Sequence, residues 1–192
     1  NGDGTLRFER VGGIDDRVLL SKQVLVGKDA VPGVIGYPPI HLIPRSEREK
    51  APDVSKAAID IGATDKAGAE RLVSSGDYAT FRTDFQVLDE EGLRTVAGKA
   101  FDDRAGCAAL VELLREHAEG ERPQAFDLYA VFTAQEEVGL RGARVAAYAV
   151  RPDVAFALEG TICDDLPKKK DVSPSTRLGA GPAITIMDRS FI

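Results

Sequence analysis

The sequence has 192 residues and a mass of 20.6 kDa, enough for one large domain or two small ones with a real core, which excludes a mini-protein dependent on staples. Its 43% hydrophobic and 29% charged residues are a globular composition, and 31 acidic against 25 basic side chains give a net charge of -6, the wrong sign for a nucleic-acid-binding face. No apolar run approaches the roughly 20 residues of a bilayer span, Asn1-Gly2-Asp3-Gly4 is not a signal peptide, and Cys107 and Cys163 lack C-x-x-C spacing, so a soluble chain in a reducing, cytoplasmic compartment is expected.

The first half reads as short strands punctuated by turns. Thr5 to Val11 alternates apolar with polar, Arg17 to Val26 is β-rich, and Gly33 to Gly36 runs into Tyr37-Pro38-Pro39. After a charged connection from Pro44 to Pro52 come Ala58 to Gly62 and a short helix from about Asp65 to Val73, with Asp65 placed to cap it. Asp77 to Leu88 is β-rich again, and Asp89-Glu90-Glu91-Gly92 predicts a hairpin turn before Leu93 to Ala97. Many strands with one helix suggest a small barrel or sandwich over residues 1–97.

From Gly98 onward helix and strand alternate. Cys107, Leu110, Val111, Leu114 and Ala118 form one apolar stripe on a helix over 103–119, which predicts a buried face. Ala125 to Thr133, Val154 to Leu158 and Gly181 to Met187 read as buried strands, and Gly139 to Val150 as a second helix. Residues 98–192 are therefore expected to form an α/β domain, with a mixed, mostly parallel sheet and flanking helices whose ligands gather at the strand ends.

Acidic clusters lie at those ends. Asp102-Asp103 opens the first long helix, Glu136-Glu137 follows the Ala125 to Thr133 run, and Glu159 ends Val154 to Leu158. Carboxylates brought together raise one another's pKa unless a cation neutralises them. A metal site with oxygen ligands from Asp102, Glu137 and Glu159 is the economical reading. Taken singly, each cluster has a plainer one: an Asp capping a helix N-terminus, a solvated Glu pair, an acid ending a strand.

Three motifs carry a resemblance. Gly98-Lys99-Ala100-Phe101-Asp102-Asp103-Arg104-Ala105-Gly106, Val131 to Ala143 around Gln135-Glu136-Glu137, and Ala157-Leu158-Glu159-Gly160-Thr161 closely resemble the M42 family of metal-dependent aminopeptidases, some of which carry an endoglucanase label. Arg10 to Asp15, Gly33 to Gly36, Ile59 to Ala63 and Leu178 to Pro182 also look like family segments, so the likeness covers nearly the whole chain. It implies a zinc-peptidase-like catalytic domain over 98–192, with residues 1–97 as an inserted β-barrel-like dimerisation domain. It also implies two divalent ions, zinc or cobalt, with Asp102 bridging them, Asp103 following through a cis peptide, and Glu137 and Glu159 each holding one. Glu136 matches the general base, taking a proton from the attacking water and passing it to the departing amine. Short peptides would be the substrates. Dimers, and tetrahedral dodecamers built from them, would be the assembly, with neither nucleic acid nor membrane as partner.

A complete family site also has two histidine ligands, one ahead of the inserted domain and one near the C-terminus. Neither position is present, so the sequence reads as the middle of a longer protein and the fragment as weakly metal-binding. His41 reads as structural, His117 as a residue near a helix C-terminus, Cys107 as core packing, and Lys168-Lys169-Lys170 as a solvated loop; Cys163, beside Asp164 and Asp165, has no role in the family pattern. Two competing readings are a glycosidase using Glu136 and Glu159, and a non-catalytic assembly module built on the first half.

Overall fold

The computed structural model of the chain describes residues 1–120, 125–163 and 176–185. They fall into two compact units, Asn1–Thr83 with Thr133–Val145, and Asp84–Phe132 with Ala146–Ile192.

The first unit holds a four-stranded antiparallel sheet. In chain order its strands are β1 (Gln23–Val26), β2 (Val31–Gly36), β3 (Ala58–Asp60) and β4 (Ala79–Phe81), arranged β3-β2-β1-β4. The pairing of Val26 with Val31 makes β1 and β2 a hairpin, and Val24 and Val26 alternate inward along β1. They join Ile35 of β2 and Ile59 of β3 in a buried cluster completed by Leu19, Ala57 and Val73. Helix α1 (Lys66–Leu72) begins where the sequence predicts, because the Asp65 carboxylate accepts the Gly68 N–H at 2.7 Å and so satisfies a donor the helix cannot.

Two expected strands shrink for local reasons. The Thr5 to Val11 stretch makes one bridge, Leu6 to Ile59, since β3 is only three residues long and offers little edge to pair with. The Arg17 to Val26 stretch is preceded by a 3-10 turn at Asp16–Val18, where the Asp15 side chain accepts the Arg17 N–H. The ladder ends at β3 and β4, so among the described residues the barrel-like expectation reduces to an open antiparallel sheet.

In the second unit β5 (Gln86–Val87) and β6 (Val96–Ala97) form the hairpin expected around Asp89. The Asp89 carboxylate accepts four backbone N–H groups, from Glu91, Gly92, Leu93 and Arg94, at 2.7–3.3 Å. Helix α2 (Phe101–Glu119) follows, and α3 (Arg141–Val150) crosses from the first unit's residues to the second's. Cys107, Leu110 and Leu114 of the predicted stripe are half-buried and Val111 is exposed, so this helix has a less exposed side rather than a buried one.

The mostly parallel sheet is not found among the described residues, where every strand pair is antiparallel. Residues 125–133 and 154–158 belong to no strand, and Phe126 and Phe156 are 67% and 88% exposed. An apolar run becomes a strand only when a neighbour takes up its N–H and C=O groups, and no described segment does so here. The run expected at 181–187 lies partly outside the described residues, as do Asp164, Asp165 and Lys168 to Lys170. The architecture described is mixed α/β with an antiparallel sheet and few helices. No helix among the described residues is long and apolar enough to cross a membrane.

Candidate functional site

The entry into α2 is irregular. Ala100 is left-handed at φ 60°, a region that a residue with a Cβ seldom adopts. Asp102 and Asp103 then depart from helical geometry, at φ/ψ of -83°/111° and -117°/55°, and the peptide between them is cis, as the resemblance implies. The helix proper runs from beyond Asp103, whose Oδ1 accepts the Gly106 N–H at 2.9 Å. That is an N-cap bond, so the plainer reading of the acidic pair holds for Asp103.

Asp102 does something else. It lies against the segment that carries Glu159: a Cβ built on Gly160 would sit 3.7 Å from Asp102 Cβ and 3.9 Å from its Cγ. The two acidic segments therefore approach each other although 56 residues of chain lie between Asp102 and Glu159. Glu159 also accepts the N–H of Gly160 at 2.9 Å. Desolvation pushes its carboxyl above the usual glutamate range, the Gly160 N–H opposes this, and the charges of Asp103 and Asp102 act with the desolvation. Among the described residues no lysine or arginine forms an ion pair with Asp102, Asp103 or Glu159.

Glu136 and Glu137 lie in the first unit, on a turn closed by backbone bonds. The Glu136 carbonyl accepts the N–H groups of Gly139 and Leu140, both at 2.9 Å, and the Ala134 carbonyl accepts that of Gly142 at 2.9 Å. Gln135, at φ 60°, is a second left-handed residue beside a candidate acid. Both glutamates are exposed.

An all-oxygen set without a basic partner suits a divalent cation, and zinc accepts carboxylate oxygens. Asp102 and Glu159 thus fit as part of a metal site. Among the described residues there is no group of three or more His, Cys, Asp and Glu side chains able to hold an ion. His41 is exposed on the 3-10 turn Ile40–Leu42, and His117 is half-buried in the last turn of α2. Cys107 lines a shallow hollow with Lys99, Arg104, Val111 and Phe132, which replaces the expected core position.

A protein of Acetivibrio thermocellus, named provisionally as an aminopeptidase, is 38% identical over 189 residues, which are 98% of this chain and 52% of that protein. Among solved structures, a TET aminopeptidase from a marine sediment archaeon of the Thaumarchaeota superposes with a TM-score of 0.80 at 39% identity, covering 88% of this chain and 48% of that one. The Pyrococcus horikoshii TET1 peptidase, which assembles into a tetrahedron or a large octahedral shell, gives a TM-score of 0.60 at 37% identity over 77% of this chain and 43% of that one. The chain spans about half the length of the curated relatives it matches. The profile of the M42 glutamyl aminopeptidases matches residues 1–192 from end to end. With the acids of its motifs where that likeness predicts them in sequence, the chain belongs to the M42 peptidase family.

Proposed function

We propose that this chain carries part of a di-metal aminopeptidase that releases the N-terminal residue of short peptides, with residues 98–192 belonging to its catalytic domain and residues 1–97 to a dimerisation domain. The observation that carries the reading is the approach of Asp102 to the Glu159–Gly160 segment, two acids with 56 residues between them brought to one place. In this reading Asp102, Glu137 and Glu159 would hold divalent ions, zinc or cobalt. When bound, such a pair polarises the scissile carbonyl and makes water acidic near neutral pH.

The chain's own residues supply the rest. Asp103, tied to the Gly106 N–H, fixes the start of α2 and so the direction in which Asp102 leaves the backbone. Glu136 takes a proton from the attacking water and gives it to the departing amine nitrogen. Its closed turn holds its backbone while leaving its carboxylate exposed to solvent and substrate. The surplus of carboxylates attracts the α-ammonium of a peptide N-terminus, which selects exopeptidase over endopeptidase cleavage. We extend to this protein the homo-oligomeric state of the TET1 neighbour, as a dimer or a larger shell, together with a cytoplasmic location.

The test uses the full-length protein with zinc or cobalt supplied. Hydrolysis of aminoacyl p-nitroanilides that is lost on chelation and lost in Glu136→Gln supports the reading. Activity on a β-glucan that survives chelation replaces it with a glycosidase. Discrete oligomers by native mass spectrometry, with no metal binding and no hydrolysis, replace it with an assembly module.

A further inference from the structure

Helix propensity and the structure pull in opposite directions at one residue of α2. Gly106 sits three residues after Asp103, in the first regular turn, where glycine is a poor helix former and alanine the best. Its N–H donates to Asp103 Oδ1 at 2.9 Å. A Cβ built at this position would collide with Asp103 Oδ2, stand 2.6 Å from Asp103 Oδ1, and stand 2.8 Å from the carbonyl oxygen of Leu158. The last contact is the informative one. Leu158 O is a backbone atom of the peptide that leads into Glu159, and it cannot rotate out of the way as a flexible side-chain tip would.

We propose that Gly106 is a positioning residue of the candidate site: its missing side chain lets the first turn of α2 lie against the Leu158 backbone, which is what brings Asp102 and Glu159 together. The proposal rests on the metallopeptidase reading above for its functional meaning, but the contact itself does not depend on it. Gly160 provides the internal comparison. It lies in the same junction, but a Cβ there meets Asp102 only at ordinary van der Waals distances of 3.7–3.9 Å. Steric demand is therefore concentrated at Gly106, and two neighbouring glycines are assigned opposite sensitivities.

The experiment compares Gly106→Ala and Gly160→Ala in the full-length protein. For Gly106→Ala we expect zinc affinity, measured by competition with a chromophoric chelator, to fall about tenfold or more, the cost usual when a residue orienting a ligand is disturbed. The visible absorption of the cobalt-loaded protein should change, and kcat should fall while KM holds within about twofold. Gly160→Ala should match the wild type within about twofold in each measure. A crystal structure of metal-free Gly106→Ala should show the Asp102 and Glu159 side chains separated. Unchanged separation overturns the proposal, as does wild-type metal affinity, or a general loss of amide-exchange protection along α2 in Gly106→Ala, which would make the residue merely structural. If the wild type binds no zinc or cobalt, the metallopeptidase reading fails by itself, and the separation of Asp102 from Glu159 still decides the role of Gly106.

Discussion

The Asp102 side chain lies against the segment that carries Glu159: a Cβ built on Gly160 would stand 3.7 Å from Asp102 Cβ. Desolvation raises the Glu159 carboxyl above the usual glutamate range; the Gly160 N–H opposes the rise and the charge of Asp103 adds to it. A carboxyl whose pKa rises on folding binds its proton more tightly in the native state. Its contribution is therefore full below the ordinary glutamate pKa and is lost as pH rises through the native value. In metal-free protein, the Glu159 carboxyl carbon should titrate above the usual glutamate range by NMR, and Asp103→Asn should bring its midpoint down. A Glu159 midpoint at or below the usual value contradicts its desolvation beside Asp103.

Replacing Glu136 by Gln keeps the shape of the turn and removes the base. The expected loss in kcat is about 10²- to 10⁴-fold, the range for a general acid-base group, with KM little changed. Steady-state kinetics on one aminoacyl substrate checks it, and a variant that retains full kcat would reassign the base.

The turn that carries Glu136 depends on a second close approach. A Cβ on Gly142 would collide with the Ala134 backbone nitrogen and stand 2.5 Å from its carbonyl oxygen. Gly142→Ala should displace Gln135 to Glu137 and lower kcat by up to about 100-fold, since small misplacements of reacting groups are costly. Because the turn lies apart from the buried cluster, denaturant unfolding of the sheet should be unchanged.

Ile59 is 2% exposed and pairs with both Ile35 and Leu6. Ile59→Ala should cost about 2–5 kcal/mol by urea unfolding, the range for truncating a buried isoleucine. A smaller loss would mean that the cluster closes over the cavity.

Asp89 organises the β5–β6 hairpin. The backbone N–H groups of Gly92 and Glu91, and then those of Leu93 and Arg94, hold its carboxyl below the usual aspartate range. A depressed pKa contributes above the unfolded value and is lost as pH falls through the folded one. Hydrogen exchange at Leu93 and Arg94 should therefore quicken in Asp89→Ala at neutral pH, and in the wild type only on strong acidification.

Local signals made much of this legible in the sequence. Asp65 announced α1, periodicity announced α2 and α3, and Asp89 announced the hairpin, because each depends on residues within a few positions. The runs at 125–133 and 154–158 misled for the converse reason: a strand is a property of a pair, and hydropathy does not reveal whether a partner is there. At the site, the motifs pointed to Asp102 and Glu159, whereas which of Asp102 and Asp103 caps the helix required coordinates. Gly106 left one trace, a poor helix former in the first turn of a helix. Ala100 and Gln135 left none, since nothing in either residue type foretells a left-handed backbone.

Every buried hydrophobic side chain among the described residues, from Leu19 to Val73, belongs to the sheet unit, and the acids of the second unit sit on described residues without such a centre. Heat or denaturant therefore interrogates the sheet and passes over the acidic rim. A thermal-shift screen would certify a variant as healthy with its ligands scattered, and would blame chemistry for what was only a weakened hydrophobic centre. Fitness of the one part carries no information about fitness of the other.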